Sequence, residues 1–405
     1  MQLVEQHCIG KQDSRYAVID RVAFASKNLY NAALYEMRQE FIHHGRRIYF
    51  NELYHLMKSH EAYHALPAKV AQQVLKLLDQ NWESYSEACK AYRLDPSKFV
   101  GHPKLPKYKD KQKGRNVLVF TVQVVSKRGL TRGIVQPSGV PIEIHTTHTS
   151  VNQVRIVPRS GFYVVEVVYE QTTKQTDVDT SLVASLDLGI NNLVALTSNK
   201  VGFVPRLVNG RPIKSVNQFY NKRKAELQTI IKPDTRFTAR MERMTIKRTR
   251  RIDHSLHTAS KRIIDLLVSE RIGTLVVGKN PLWKQETNMG KRNNQQFVMI
   301  PHARFIAMLT YKAELVGIQV IVGEESYTSK ASFLDSDFIP TYGKVKQEPV
   351  FSGKRVKRGL YKAANGRKIN ADVNGSYNIL RKVAPNALRG KGVEDCVVNP
   401  IRLHV

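Results

Sequence analysis

The sequence predicts a multidomain chain in which an all-β domain carrying a helical insertion precedes an α/β domain. Three observations predict it. Apolar residues recur at helical spacing between about positions 20 and 92, the hydrophobic period falls to two between 117 and 171, and from 181 onward short apolar runs alternate with helical ones. With 405 residues, 42% of them hydrophobic and 8% aromatic, the chain can bury real cores in two to three domains, which excludes a disordered or purely charged chain.

Positions 3–8 alternate apolar and polar and read as a strand. A run of helix formers follows from near Asp20, with Leu29, Ala32, Ala33, Tyr35, Glu36 and Met37 at spacings of three and four. A second helix covers 51–58. A third starts at Pro67, a favoured first-turn residue, and carries Val70, Val74, Leu77, Leu78, Trp82 and Tyr85 to about 92, with Trp82 read as core. Between 94 and 115 proline, lysine and aromatic residues, Lys104, Lys107 and Lys109 among them, make an extended connector. The β-rich runs 117–125, 141–144, 151–157 and 162–169, separated by turn residues, read as a small antiparallel barrel or sandwich. The strand at 3–8 most economically joins that sheet, which makes the helical lobe an insertion. Farther on, 182–188 and 193–198 read as a hairpin of buried strands turning through Gly189, Ile190 and Asn191. Basic helices follow at 215–229 and 240–270, then short strands at 274–278 and 319–322 with a helix at about 301–316 between them. Beyond Arg389 no pattern is visible and a disordered tail is expected.

Against 34 acidic residues stand 64 lysines and arginines, a net charge of +30. A positive field of that size recruits polyanions, so nucleic acid is the leading partner class and a membrane surface the alternative. No run approaches the roughly 18 apolar residues of a membrane span, and the opening MQLVEQHCIG has no leader character. No membrane partner is expected, and the protein is read as soluble and cytoplasmic. The three cysteines, Cys8, Cys89 and Cys396, are too scattered for a disulfide framework or a zinc knuckle and read as buried or incidental thiols. Phosphate loop, dinucleotide fingerprint and zinc-protease helix are all missing from the sequence, which lowers nucleotide-driven motors and zinc proteases.

Candidate chemistry lies in three acidic positions. Asp187 sits in an apolar strand just before a turn, where a buried acid is costly unless it is paired or binds a cation. Glu324 and Glu325 follow the apolar run 318–323, and Asp372 falls in what looks like the first turn of a helix. Three carboxylates from separate elements are what hard Mg²⁺ ions need to activate water and stabilise the leaving oxygen of a phosphodiester. Taken singly, a strand aspartate facing solvent and a helix-start cap are the ordinary readings.

The segments SLDLGINNLVALTS at 185–198, ESYTSKAS at 325–332 and INADVNGSYNIL at 369–380 resemble TnpB, the transposon-encoded RNA-guided nuclease family related to compact type V CRISPR effectors. The strand, helical lobe, lysine–proline–tyrosine connector and β-domain before them are similar to that family's wedge and recognition domains, so the resemblance covers about 1–385. It implies a RuvC-like nuclease domain of RNase H fold preceded by a β-barrel wedge with an inserted helical recognition lobe. The corresponding division is 1–15, first wedge strand; 16–95, recognition lobe; 96–175, wedge; 181–325, first part of the nuclease domain; 326–368, an insert; 369–388, its last part; and 389–405, the tail.

Two departures from the family pattern stand out. Gly278 occupies the end of the strand where the family has its middle catalytic glutamate. Some relatives, including eukaryotic Fanzor proteins, carry a substitute on the next strand, three residues before the Thr-Ser of the following motif, and that position here is Glu325. Neighbouring strands lie roughly 5 Å apart, so a carboxylate moved to the adjacent strand can reach the same metals. Successive strand residues face opposite ways, so Glu324 and Glu325 cannot both aim inward along a regular strand. Glu325 is taken as the ligand, with Glu324 second; the alternative is that both are solvated beside Lys330 and the nuclease is inactive. The second departure is that 326–371 contains no cysteine where relatives bind zinc. Zinc is not expected, and Phe333, Leu334, Phe338, Ile339, Tyr342 and Phe351 are expected to pack the insert unless it orders only on RNA.

On this basis Asp187, Glu325 and Asp372 are the expected ligands of two Mg²⁺ ions and the catalytic residues. Lys104, Lys107, Lys109, Arg243, Lys247, Arg250, Arg251 and Lys330 are expected nucleic-acid contacts, because few acids lie near the basic helix to pair with them. His254 and His257, on that helix, lack a third metal ligand and read as phosphate-facing. Lys284, Lys291 and Arg292 read as a lid or as solvated cations, and Lys354, Arg355, Lys357 and Arg358 as guide or target-strand contacts or a solvated turn. The expected function is RNA-guided, Mg²⁺-dependent DNA cleavage beside a short target-adjacent motif. Its partners are guide RNA from the transposon end and target double-stranded DNA, in a bacterial, nucleoid-associated setting. A nuclease-inactive RNA-guided repressor, a transposase of RNase H fold and a generic basic RNA-binding protein are the alternatives.

Overall fold

The computed structural model describes residues 1–231, 238–280, 290–343, 349–388 and 400–404, and divides into two units, Met1–Gln171 and Thr172–Val405. The first unit runs β1 (Gln2–Gly10), α1 (Tyr16–His44), α2 (Phe50–Met57), α3 (Glu61–His64), α4 (Ala68–Leu94), β2 (Leu118–Thr121), α5 (Lys127–Thr131), β3 (Ile134–Val135), β4 (Ile144–His145), β5 (Gln153–Arg159) and β6 (Phe162–Glu170). Strand β1 pairs antiparallel with β6, in the order β1-β6-β5-β2, so the helices are an insertion between the first two strands in sequence. The expected barrel is, in its backbone pairing, this four-stranded sheet plus a separate two-residue ladder of β3 and β4. Positions 126–143 go largely into α5 and turns through Gly133 and Gly139, both with positive φ, which leaves only short strands there. Sheet and ladder share one core through Phe120, Val135, Ile144, Ile156 and Val165.

Helix α1 ends at Gly45, whose left-handed φ of 67° lets its N–H bond Phe41 O. Leu34, Met37, Leu53, Met57, Val74, Leu78 and Trp82 form the core of the lobe, and Trp82 meets Phe41 edge-on at 5.3 Å. The connector is extended but pinned: Asn31 exchanges two bonds of 2.9 Å with the Lys109 backbone, and Lys27 Nζ donates to Lys111 O at 2.7 Å. Cys8 faces outward, in the opposite phase to buried Ile9, which leaves the incidental of the two expected readings there; Cys89 is half-buried and Cys396 lies outside the described residues.

The second unit contains β7 (Asp179–Leu188), β8 (Asn192–Ser198), β9 (Arg206–Asn209), α6 (Arg211–Ile230), α7 (Ala239–Ser269), β10 (Ile272–Gly278), α8 (Lys291–Val298), α9 (His302–Glu314), β11 (Gln319–Gly323), β12 (Lys354–Lys357), β13 (Leu360–Lys362), β14 (Lys368–Asn370), α10 (Ala371–Val383) and β15 (Ile401–Leu403). Its sheet has the order β11-β10-β7-β8-β9-β15, with β10 parallel to both neighbours and β7, β8 and β9 antiparallel in turn. Alternation along the strands separates two faces. Ala184, Leu186, Leu188, Leu275 and Val277 pack with Leu256, Ile263 and Phe305 of α7 and α9, whereas Val183 and Val276 pack with Ile379 and Leu380 of α10. Asp187 and Gly278, in phase with Val183 and Val276, therefore belong to the α10 face.

Two expectations are corrected here. The tail expected to be disordered places Ile401–Leu403 as a strand parallel to β9; a three-residue strand is too short to show a period, and 389–399 lie outside the described residues. In the insert, Phe333 is buried and stacks on Tyr377 at 4.5 Å, but Phe338 and Tyr342 are exposed. The antiparallel sheet β12-β13-β14 and polar anchors from α10 hold the insert in their place. No helix among the described residues is long and apolar enough to cross a membrane.

Candidate active site

Asp187 lies near the end of the central strand β7, paired with Ala195 of β8. It keeps some surface open to solvent, yet protein packs closely round its carboxyl. Burial, then the charges of Glu325 and Asp372, raise its pKa well above the ordinary carboxylate value, with Arg355 partly opposing them. Helix α10 approaches here because of Gly375. A Cβ at that position would lie 2.8 Å from Asp187 Oδ2, so only glycine lets the helix backbone meet the carboxylate.

Asp372 stands in the first turn of α10, as the sequence predicts. Asn370 caps the helix by accepting from the Asp372 and Val373 N–H groups at 3.0 and 3.2 Å. Asn192 Nδ2 donates to Asp372 Oδ2 at 2.8 Å, and Arg355 Nη2 lies 3.5 Å from Oδ1.

Glu325 follows the end of β11, two strands from Asp187, with β10 between them. That intervening strand ends at Gly278, which pairs with Gly323. A Cβ on Gly278 would collide with Glu325 Oε2 and come within 2.6 Å of Ile379 Cδ1. The space over Gly278 is thus filled by the Glu325 carboxylate. The Glu325 N–H donates to Asn280 Oδ1 at 3.0 Å, and its carbonyl accepts from Thr328 Oγ1 at 2.8 Å. Tyr327, with a positive φ of 66°, turns the chain immediately after it.

The adjacent glutamates differ in their surroundings. Glu324 pairs with Lys382 and accepts the Ser326 N–H at 2.8 Å, bonds that outweigh the effect of burial and hold its carboxyl below the ordinary range. Glu325 Oε2 is buried with no hydrogen-bond partner. Burial first, and the Glu324 charge second, push its pKa up to about 7. That carboxylate oxygen makes no hydrogen bond of its own, and Lys382, engaged with Glu324, offsets the effect of burial only in part. Among the described residues no three His, Cys, Asp or Glu side chains are grouped so that they could hold a metal ion as they stand. The chemistry fits a hard divalent cation all the same: an orphaned buried oxygen, oxygen-only donors, and glycine-made room at Gly278 and Gly375.

Beside these acids an open groove of about 420 Å³ is lined by Ile190, Asn293, Arg355 and Arg358. On α7, Arg243, Lys247, Arg250 and Arg251 are exposed along one face, opposite buried Met241, Ile252 and Leu256, as the spacing predicts. Arg248 departs from that run: it is half-buried, donates to Asn217 Oδ1 at 2.7 Å and Met299 O at 3.1 Å, and lies over Tyr220. His254 and His257 are exposed on the same helix. Lys330 is exposed in the turn after Glu325, and in the first unit Lys104 and Lys107 are exposed while Lys109 leans over the Tyr30 ring at 5.1 Å. Lys284 and the side chains of Lys291 and Arg292 lie outside the described residues. The sequence reading gave no role to Asn192, Asn280 or Gly375. Of these Gly375 carried a usable signal, since glycine inside a helix costs about 1 kcal/mol and marks a close approach.

Comparison with known proteins agrees with this architecture. Residues 166–283 match the OrfB_IS605 family model, described as a probable transposase, and 302–379 match the Cas12f1-like TNB domain. The chain is 24% identical over 402 residues to the TnpB-like protein ORF457 of Acidianus two-tailed virus, covering 89% of this chain and 82% of that protein. Its fold is similar to that in the cryo-EM structure of a Cas12f1–sgRNA–target DNA complex, with a TM-score of 0.52 at 14% identity over 89% of this chain and 82% of that one.

Proposed function

We propose that the chain is a member of the TnpB family, an RNA-guided, Mg²⁺-dependent DNA endonuclease, encoded by a transposable element, that cuts target DNA matched to a guide RNA next to a short adjacent motif, a reading that the family-model matches and the similar relatives support. The observation that carries the proposal is Glu325 seated over Gly278. Without it, the missing strand glutamate would leave two aspartates and an inactive nuclease. With it, β7, the end of β11 and α10 each contribute one carboxylate to the same corner of the sheet.

Asp187, Glu325 and Asp372 would hold two Mg²⁺ ions, which when bound supply a Lewis acid and water of lowered pKa for in-line displacement at phosphorus. Asn192 fixes one Asp372 oxygen and leaves the other toward Arg355. Arg355 and Arg358, on the groove beside the acids, are suited to grip phosphates of the strand being cut. Lys330 and the exposed face of α7, with Lys104, Lys107 and Lys109 in the first unit, would hold nucleic-acid backbone without reading its sequence. Base pairing with the guide would then select the target.

The test is cleavage of a plasmid library, carrying a guide-matched target beside randomised bases, by protein co-purified with RNA from its own locus, in Mg²⁺ and in EDTA. Mg²⁺-dependent cuts beside one short motif are expected. Glu325→Ala is expected to lower the rate on the order of 10³-fold or more with guide binding retained. Guide-dependent binding without cuts in any divalent ion would instead identify a repressor, and an E325A protein that cuts normally would refute the relocated glutamate.

A further inference from the structure

Beneath the carboxylates lies a second polar cluster with no part in the chemistry proposed above. Ser185 of β7, Thr197 of β8 and Ser376 of α10 are fully buried. Ser185 Oγ lies 2.9 Å from Thr197 Oγ1 and 3.2 Å from Ser376 Oγ, and Thr197 Oγ1 lies 2.9 Å from Ser376 Oγ. Two more bonds join side chain to backbone across the same gap: Ser185 Oγ donates to Ser376 O at 2.6 Å, and Ser376 Oγ donates to Ser185 O at 2.9 Å. Each serine has one hydroxyl proton, and each is used on the other's carbonyl. The Thr197 proton is therefore the one left to join the two serine oxygens, and it ties β8 into the clamp.

The position of this clamp is informative. Ser185 precedes Asp187 by two residues on the same face of β7, and Ser376 follows Asp372 by one helical turn. Gly375, next to Ser376, is where the helix backbone meets Asp187. An apolar contact between helix and sheet would tolerate sliding, because dispersion is not directional, whereas directional bonds from the three hydroxyl protons fix one register. Displacing α10 by one residue would move Asp372 by about 1.5 Å, enough to spoil a two-ion site.

We propose that Ser185, Thr197 and Ser376 are positioning residues that set the Asp187–Asp372 spacing and thereby the affinity of the site for divalent ions, an inference that rests on the metal-dependent reading of the carboxylates. The test is Mn²⁺ binding to the whole chain without nucleic acid, by electron paramagnetic resonance, with melting temperature measured in parallel. Thr197→Val, nearly isosteric but without the hydroxyl, is expected to weaken Mn²⁺ binding about tenfold or more, as loss of an outer-shell partner does. Thr197→Ser keeps the hydroxyl and is expected to bind Mn²⁺ like wild type even if it melts earlier. Ile264→Val, in the core on the opposite face of the sheet, is expected to lower the melting temperature without changing Mn²⁺ binding. Wild-type Mn²⁺ affinity in Thr197→Val, or equal weakening in Thr197→Ser, overturns the proposal. A wild-type protein that binds no Mn²⁺ overturns it together with the metal reading. A wild type that binds Mn²⁺ but never cuts refutes the nuclease alone, and the Thr197 pair still decides the clamp.

Discussion

Replacing Glu325 by glutamine is expected to stabilise the metal-free protein, although it removes a residue proposed to be catalytic. The folded protein raises this carboxyl from 4.5 to about 7, chiefly by burial. At about 1.36 kcal/mol per unit, that rise corresponds to roughly 3 kcal/mol as an upper limit. Residual solvent access and relaxation reduce it to about 1–2 kcal/mol. Because the folded-state value exceeds the unfolded one, the proton-linked stability is complete below pH 4.5 and is lost as pH rises through about 7. A neutral amide escapes that loss and also relieves Asp187, whose pKa the Glu325 charge helps to raise. At pH 8 in EDTA the Glu325→Gln protein is therefore expected to melt about 2–8 °C above wild type, taking about 2–4 °C per kcal/mol for a domain of this size. Near pH 5 the difference is expected to shrink, because wild-type Glu325 is then largely protonated. Added Mg²⁺ is expected to raise the wild-type melting temperature and have little effect on the variant. A variant that melts at or below wild type at pH 8, or that shows the same offset at both pH values, would refute the picture of an uncompensated buried carboxylate.

Four further outcomes are expected, three of them from the geometry at the carboxylates. Gly278→Ala puts a methyl against the Glu325 carboxylate and Ile379, so cleavage is expected to fall about 10²-fold with guide-RNA binding intact; Gly278→Glu combined with Glu325→Ala is expected to recover activity that neither single change retains, and no recovery in the cleavage assay would count against the relocation. Gly375→Ala, whose new Cβ would lie 2.8 Å from Asp187 Oδ2, is expected to reduce cleavage similarly and to weaken Mn²⁺ binding, read by titration. Changing Arg243, Lys247, Arg250 and Arg251 to glutamine is expected to flatten the salt dependence of DNA binding, by roughly 0.7–0.9 in log–log slope for each phosphate no longer neutralised, while low-salt cleavage persists.

Much of the second unit is legible in the sequence because its long elements carry strong periods. The hairpin of β7 and β8, helices α7 and α9, and strand β10 all stand close to the positions that apolar spacing predicts. Asp187 and Asp372 are legible for a related reason: each is an acid in a local context, mid-strand or helix start, that a motif can capture. The choice between Glu324 and Glu325 is harder, since strand alternation says only that one of them faces inward. It takes the third dimension to see that Lys382 engages Glu324 and that the space over Gly278 receives Glu325. Strands β9, β12, β13 and β15 escape the sequence reading because three or four residues, several of them basic, show no period. Arg248, between exposed cations in the sequence, turns inward instead, because Asn217 and a main-chain carbonyl receive it, which charge alone does not reveal.

The insert over α10 is secured by carboxamides. Asn374 and Asn378 both donate to Ala331 O, at 2.8 and 2.7 Å, Asn378 also donates to Thr328 O at 2.9 Å, and Asn374 accepts the Phe333 N–H at 2.9 Å. Lys382 adds bonds of 2.9 Å to Ser326 O and Pro340 O. A lobe organised round a structural metal loses shape with the metal, so chelation damages fold and activity together. On the proposed metal reading, with the insert framed by these polar bonds, the two are expected to be separable: chelator is expected to act as a reversible brake, and repeated cycles of EDTA and Mg²⁺ are expected to return full activity each time.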